Sequence, residues 1–190
     1  MMGWFQAIAV SGAAFLFYVI DRVYTRRFDK ARARGGTATT WRYMFQSTVL
    51  ACVLIAQPLL WPALGLRIPG PFGLSLQLAG IALAVVAAVL NAWARQCLGV
   101  YYAQRAELQE AHRVIRHGPY AFVRHPIYSA YILVAVALLM VLPSLPMLLV
   151  SVHTYRLFHR TALRDEILLR AQLPGYDDYM QRTPRFLPFS

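Results

Sequence analysis

Acidic residues and lysine are scarce in this chain of 190 residues. It has eight Asp and Glu residues against nineteen Lys and Arg, of which only Lys30 is a lysine, and its formal net charge is +11. Charged residues make up 14% and hydrophobic residues 58%, which is too apolar for a soluble domain of this length. The two cysteines, Cys52 and Cys97, lie in or beside apolar blocks, which excludes a disulfide-rich secreted fold.

The apolar residues are collected in long blocks, the pattern of membrane-spanning helices rather than of a large soluble core. Blocks at residues 3–20, 43–64 and 72–93 can each cross a bilayer core about 30 Å thick at about 1.5 Å per residue. Two shorter blocks, 127–142 and 147–157, flank a proline-rich break at 143–146 and are predicted to form a helical hairpin. The sequence therefore predicts an all-α integral membrane protein with five transmembrane helices.

The basic residues predict how these helices are oriented. Among the nineteen, only Arg67 lies in a segment that would face outside, so the amino terminus is predicted outside and the carboxyl terminus in the cytosol. The same charge is expected to attract anionic membrane lipid, and no motif supports a nucleic-acid partner. The excess of arginine over lysine, with abundant alanine, is typical of a GC-rich bacterial gene, so we predict a bacterial inner membrane.

The polar stretch 112–128 carries most of the candidate chemistry. Pro126 is suited to the first turn of a helix, whose amide groups with Arg124 and His125 could hold a carboxylate or phosphate. The alternative is that Arg124 anchors the helix to lipid headgroups and His125 only caps it. Tyr120 and Tyr128 are expected either in the aromatic belt of the membrane interface or beside a cationic ligand.

The last helix is predicted to continue beyond the membrane to about Leu173, where Pro174 and Gly175 stop it. Glu166 lies on this extension, and it either pairs with Arg170 one turn later or faces a ligand amine. No metal site is predicted, because the histidines at 112, 117 and 125 lack the close spacing of metal ligands.

Several motifs together resemble the isoprenylcysteine carboxyl methyltransferase family, in the same order over residues 91–190. They are Trp93–Gly99, His112–Ile115, Gly118-Pro119-Tyr120, Arg124-His125-Pro126-Ile127-Tyr128, Asp165–Leu169, Leu173–Tyr176 with Tyr179, and Arg185–Pro188. The resemblance implies one membrane methyltransferase domain over 1–190, with three spans in 1–90 and the cofactor-binding and catalytic part in 91–190. It implies transfer of a methyl group from S-adenosylmethionine, held in a cytosolic pocket, to a lipophilic acceptor that enters from the bilayer.

Carried over residue by residue, the resemblance predicts the site. The catalytic residues are Glu166, Asp165 and Arg124. The cofactor-binding residues are His112, Arg113, Val114, Ile115, Gly118, Tyr120, His125, Pro126, Ile127, Tyr128 and Glu166.

Two positions depart from the family pattern and leave the acceptor open. The family's paired glutamates fall on Asp165 and Glu166, so either acid could keep the cofactor contact. The arginine expected to handle a substrate carboxylate falls on Thr161, with Arg160 and Arg164 nearby. A phospholipid N-methyltransferase is therefore the alternative enzyme, and a non-catalytic protein that binds anionic lipid is the alternative of another class. The oligomeric state stays open.

Overall fold

The computed structural model describes residues 8, 12–13, 15–20, 23, 66, 68–98 and 114–186. Four helices lie in this part of the chain: α1 (Gly70–Leu98), α2 (Pro126–Val141), α3 (Leu145–Gln172) and α4 (Tyr176–Arg182). A 3-10 turn, Gly118–Ala121, precedes α2. The prediction of an all-α protein is confirmed for the described residues, whereas the predicted span 43–64 and half of the span 3–20 lie outside them.

Helix α1 is longer than the sequence pattern indicates, since it begins at Gly70 and continues to Leu98 instead of ending near residue 93. The arginine at its end does not stop it, because Arg95 has hydrogen-bond partners within the protein. Arg95 is fully buried, and its Nε donates a hydrogen bond of 2.9 Å to Oδ1 of Asn91, one turn earlier. Arg95 therefore belongs to the packed interior of the helix end and does not mark a membrane boundary.

Helix α1 is long and apolar enough to cross a membrane, with a mean hydropathy of 2.2 over its most apolar stretch, and no other helix of the described part passes the same test. Only 28% of that stretch is buried inside the protein, whereas the core helix of a soluble protein would be mostly covered. The exposed side chains include Phe72, Leu78 and Val86. An apolar face of this kind is suited to contact with lipid.

Helices α2 and α3 form the helical hairpin that the sequence predicts. Pro126 occupies the first turn of α2, and the Ser144 side chain caps α3 by accepting a hydrogen bond of 3.3 Å from the Met147 amide. Contacts between the two helices pair early residues of α2 with late residues of α3. Tyr131 stacks on Phe158 at 4.8 Å, for example, so the helices run antiparallel.

The interface between α1 and α2 depends on small residues. Gly80 lies so close to α2 that a methyl group in its place would be 2.8 Å from the Ala137 carbonyl oxygen. Ala88 and Ala130 are buried where the helices continue to touch, and Phe17 of the amino-terminal helical residues packs on both. Small side chains let helix backbones approach closely, as in membrane helix pairs generally.

The helix connections lie at two opposite ends of this bundle. At one end the Leu66 amide donates a 2.7 Å hydrogen bond to the Pro143 carbonyl in the α2–α3 turn. At the other end the 3-10 turn packs beside the end of α1, because Gly118 faces Trp93 and Cys97. The polar stretch before α2, the late part of α3 and the chain after α4 meet at this second end.

Candidate functional site

Glu166 is the centre of a cluster of charged side chains at the second end of the bundle. It lies on the part of α3 beyond the apolar stretch and is only 3% exposed. A carboxylate in such a place is costly to desolvate unless cations and hydrogen-bond donors surround it. Two segments of the chain supply them: the residues just before α2 and the tail after α4.

Three cationic or potentially cationic side chains converge on Glu166. Arg124 places Nε and Nη2 each 3.0 Å from Oε1. His125 Nε2 lies 3.2 Å from the same oxygen. Arg185 binds through both nitrogens of its fork, with Nε donating to Oε1 at 3.0 Å and Nη2 to Oε2 at 2.8 Å. Both carboxylate oxygens are therefore occupied, and Arg185 contacts the two of them with the bidentate geometry that guanidinium groups favour.

Arg124 also fixes the tail of the protein to the start of α2. Its Nη1 donates to the carbonyl oxygens of Met180, at 2.8 Å, and of Thr183. The backbone amides of Arg124 and His125 donate to the carbonyls of Pro184 (2.8 Å) and Arg185 (3.1 Å). These donors would otherwise precede α2 without partners, so the tail completes the start of the helix.

Asp165, the neighbour of Glu166, faces a different set of groups. Its Oδ2 accepts a 2.6 Å hydrogen bond from the Tyr128 hydroxyl, and no described residue donates to its other oxygen. The Tyr128 ring stacks on His125, with centroids 5.3 Å apart and the planes at 4°. Asp165 is half-buried, so it combines a fixed orientation with an oxygen that remains available to a ligand.

The turn before α2 requires a glycine at position 118, because the backbone there is left-handed and there is no room for a β-carbon. Gly118 has φ of +61°, and a β-carbon would lie 2.5 Å from Cys97 Sγ. The turn is held from the far side by the Tyr179 hydroxyl, which donates a 2.6 Å hydrogen bond to the Tyr120 carbonyl. Arg116 donates to the Gly175 carbonyl at 2.6 Å and lies 6.0 Å from the Tyr179 ring centroid.

Most of the predicted site residues come together here. Around Glu166 the structure places Arg124, His125, Pro126, Tyr128 and Asp165, with Gly118 and Tyr120 in the adjoining turn. Val114 packs on the cluster of Leu173, Tyr176 and Tyr179, and Ile115 and Ile127 are half-buried. His112 and Arg113 lie outside the described residues.

Two alternatives weighed for the charged residues are wrong. Glu166 does not pair with Arg170, since Arg170 Nε instead donates to Asp177 Oδ1 at 2.6 Å on the exposed surface. His125 occupies the cap position of α2, but its side chain makes no capping hydrogen bond and contacts Glu166. Helix spacing brings residues 166 and 170 near each other, yet the three-way contact inside the protein is more favourable for a carboxylate than one exposed pair.

Arg185 is the functional candidate that sequence reasoning left out. Its contact with Glu166 spans 19 residues and depends on how the tail folds back, which helix periodicity does not reveal. The signal was present, because Arg185 begins the last motif that resembles the methyltransferase family. Of the arginines considered instead, Arg160 and Arg164 are exposed on α3.

The two acids have pKa values displaced in opposite directions. Burial alone would raise the pKa of Glu166, but hydrogen bonds from His125 and Arg185 and the charge of Arg124 outweigh it and hold that pKa well below its ordinary value. Burial raises the pKa of Asp165, and the hydrogen bond from Tyr128 only partly offsets this. Glu166 is thus fixed as a carboxylate, whereas Asp165 is closer to taking up a proton.

Acid should weaken the protein through Glu166. Because the folded-state pKa of Glu166 is lowered, its contribution to stability is complete above the unfolded value of about 4.3 and is lost as pH falls below it. The pKa of Asp165 is raised, so its contribution to stability changes with pH in the opposite direction. Melting temperatures of the wild type and of Glu166→Gln, measured between pH 7 and pH 3, isolate the contribution of Glu166 to stability. The melting temperature of the wild type should fall more steeply as the pH is lowered. Parallel curves would contradict the prediction.

The described part of the chain is all-helical, and one of its helices, α1, is long and apolar enough to cross a membrane. Residues 80–170, just under half of the chain, match the model of the isoprenylcysteine carboxyl methyltransferase (ICMT) family. The match covers α1 from Gly80 onward, the 3-10 turn, α2 and α3 with Glu166. The resemblance found from the motifs is confirmed, and it supports a membrane methyltransferase.

The chain is also similar to a nickel-cobalt-cadmium resistance protein, NccN, of Alcaligenes xylosoxydans xylosoxydans. The two are 32% identical over 76 residues, which is 40% of this chain and 36% of that protein. The chain therefore spans little more than a third of this relative's length.

Proposed function

We propose that the protein transfers a methyl group from S-adenosylmethionine to a lipophilic acceptor taken from the membrane. The observation that carries the proposal is the buried Glu166 cluster, which ties the start of α2, the late part of α3 and the tail into one rigid site. These are the segments whose motifs resemble the methyltransferase family. The family match over residues 80–170 supports the same reaction class.

The residues present fit the polar groups of this cofactor. An ammonium group needs a carboxylate, and Asp165 offers an oxygen to which no described residue donates. Glu166 is the less suitable of the two acids because both its oxygens are held by protein cations. The first turn of α2 adds backbone amides that favour a carboxylate, and the stacked rings of His125 and Tyr128 offer an aromatic face to a cation. Asp165 is therefore the acid that we assign to the cofactor's amino group.

When bound, the cofactor would supply a methyl group activated by its sulfonium, with the neutral thioether as the leaving group. The protein's own contribution is to align the two reactants and to exclude water. Glu166 serves as the fixed anion that positions Arg124, His125 and Arg185, since a carboxylate with a lowered pKa and occupied oxygens does not accept a proton at neutral pH. If the acceptor is an amine, His159 is the remaining candidate base. It lies two turns before Glu166, and its buried Nδ1 has no hydrogen-bond partner in the described part of the chain.

The proposed setting is the cytosolic face of a bacterial inner membrane. The arginine-rich segments on that side of the predicted topology are expected to hold the protein against anionic lipid. The site lies at the end of α1 opposite the α2–α3 turn, where an acceptor anchored in one leaflet would meet a water-soluble cofactor.

Cofactor binding is the direct test. Purified protein in lipid nanodiscs should bind S-adenosylhomocysteine saturably in a calorimetric titration, and Asp165→Asn should weaken that affinity about 10- to 100-fold through loss of a charged hydrogen bond. Asp178→Asn, which changes an exposed acid on α4, is the matched control and should bind as the wild type does.

Three results can be told apart in this titration. Absence of binding by the wild type would refute the methyltransferase and favour a protein that only binds anionic lipid, with an affinity that falls steeply as salt is added. Unchanged affinity in Asp165→Asn would refute the assignment of Asp165. Weakening in both variants would point to a general effect of negative charge and would contradict a local contact.

A further inference from the structure

Three arginines share the outer face of α3. Arg156, Arg160 and Arg164 follow one another at four-residue intervals, and all three are exposed. Residues four apart lie on the same side of an α-helix, so the three side chains form a stripe about 12 Å long at about 1.5 Å per residue. None of the three forms an ion pair or a side-chain hydrogen bond with a residue that the structure describes. We refer to Arg156, Arg160 and Arg164 as the arginine stripe.

The arginine stripe lies on the side of α3 opposite the Glu166 cluster. The buried residues of this part of the helix repeat at the same interval, and they are Thr154, Phe158, Ala162 and Glu166. The oxygens of Glu166 are bound by cations from other segments, and Asp165 accepts a hydrogen bond from Tyr128 of α2. The two acids of α3 therefore do not neutralise the arginine stripe, whose charge faces outward.

Large apolar side chains flank the arginines on the same face. Leu157, Leu163 and Ile167 are 38%, 39% and 71% exposed. This mixture is typical of a helix face at the boundary between acyl chains and headgroups, where apolar atoms meet the chains and guanidinium groups reach phosphate. A second copy of the chain does not suit this face in a two-fold arrangement, because the same cations would be brought together.

The lengths of the two hairpin helices indicate how deep this boundary lies. Helix α2 has 16 residues, which span about 24 Å, whereas the hydrocarbon core of a bilayer is about 30 Å thick. On α3, Arg156 lies about 17 Å along the axis from Leu145, so a helix that enters the core at Leu145 reaches Arg156 well before the opposite boundary. Arginine within the core is unfavourable unless headgroups or water reach it. Both helices therefore indicate a bilayer that is locally thin along this face.

We propose that the arginine stripe binds the phosphate groups of anionic phospholipid in the leaflet beside the Glu166 cluster and draws them inward along α3 as far as Arg156. This lipid is a surface partner and not the methyl acceptor, since the stripe faces away from Asp165 and Glu166. Its binding holds the extension of α3 at a fixed depth in the membrane, and that extension carries both acids on its other side. The proposal does not depend on the reaction that the Glu166 cluster supports.

Photo-crosslinking of the full chain in phosphatidylcholine vesicles tests the proposal. The probe is a trace of phosphatidylglycerol with a photoreactive diazirine on its headgroup, and the comparison is phosphatidylcholine with the same group. Mass spectrometry locates the crosslinked positions. At low salt the anionic probe should label residues 153–167 about tenfold more than the neutral probe, with labels as early as Arg156, and this ratio should fall as salt is added.

Arg160→Gln should lower the ratio about fivefold, since a basic residue near an anionic surface contributes about that factor, and Arg160→Lys should keep most of the ratio. Arg182→Gln is the matched control. It removes the same charge from an exposed position on α4 and should leave the labelling of α3 unchanged.

The proposal is overturned if the two probes label the wild type equally, if Arg160→Gln and Arg182→Gln have equal effects, or if the labels are confined to residues after Arg164. A face that neither probe labels, as when a second copy of the chain covers it, overturns the proposal as well. Binding of S-adenosylhomocysteine is measured separately. Its absence would refute the methyltransferase function and would not bear on lipid binding by the arginine stripe.

Discussion

Replacing Glu166 by alanine is expected to lower the free energy of unfolding by about 3–5 kcal/mol and to abolish measurable S-adenosylhomocysteine binding. Removing one member of a buried ion pair costs this much because its partners keep their charge without compensation. Here the partners are Arg124, Arg185 and His125, and the substitution leaves all three facing each other.

Loss of binding should follow from loss of position, without any direct contact between Glu166 and the cofactor. Arg124 holds the carbonyls of Met180 and Thr183, and His125 stacks on Tyr128, which in turn orients Asp165. Once repulsion separates Arg124 from Arg185, the start of α2 and the tail lose their common anchor. Glu166→Gln should be milder than Glu166→Ala, because the amide oxygen still accepts a hydrogen bond and fills the space.

Denaturation in mixed detergent micelles, followed by circular dichroism, measures the change in stability. The matched control is Asp177→Ala, which breaks the ion pair with Arg170 whose side chains are 57% and 61% exposed. An exposed pair of this kind is worth about 0–1 kcal/mol, so the control should unfold nearly as the wild type does. If Asp177→Ala and Glu166→Ala lowered the free energy of unfolding equally, the buried cluster would contribute no more to stability than the exposed ion pair does.

Gly80→Ala should destabilise the interface between α1 and α2, with a cost of about 1–3 kcal/mol. Its added methyl group would lie 2.8 Å from the Ala137 carbonyl oxygen and 2.9 Å from Val141 Cγ2. Backbone cannot move aside as a flexible side chain can, so α1 and α2 must separate along their shared length. The buried contact between Ala88 and Ala130 would loosen with them.

Gly12→Ala is the control for the helix propensity of the new residue. No atom of the described residues lies within 4 Å of the corresponding methyl position at Gly12, so that variant should be as stable as the wild type or slightly more stable, by up to about 1 kcal/mol. Gly80 is far along α1 from the Glu166 cluster, and the folded fraction of Gly80→Ala should still bind S-adenosylhomocysteine. A Gly80→Ala protein with the same melting temperature as the wild type would contradict the close approach of α1 and α2.

Local signals in the sequence located most of the helices. Pro126 at the first turn of α2, the proline-rich break before α3 and the stop at Pro174 and Gly175 all lie where the structure has helix boundaries. Such signals are reliable because they act on backbone angles and amide groups within a few residues. The end of α1 was placed too early because Arg95 was treated as a surface charge, whereas Asn91 and the packed helix end accommodate it.

The candidate site was located less completely, for a related reason. Motif resemblance identified His125, Tyr128, Asp165 and Glu166, which the structure brings together. It did not identify the partner of each acid. Helix spacing favoured Arg170 for Glu166, but the partners that Glu166 has are Arg124, 42 residues away, His125 and Arg185.

The sequence by itself determined the apolar helices, their boundaries at proline and glycine, and the resemblance of residues 91–190 to a methyltransferase family. These properties depend on composition and on contacts within one or two helical turns. The tertiary structure alone decided that Glu166 is a buried structural anion, that Asp165 keeps an available oxygen, and that Arg185 enters the site from the tail. Charged groups are stabilised by whichever opposite charges and donors the folded chain places within about 3 Å of them, and helix periodicity carries no information about segments that meet only after folding.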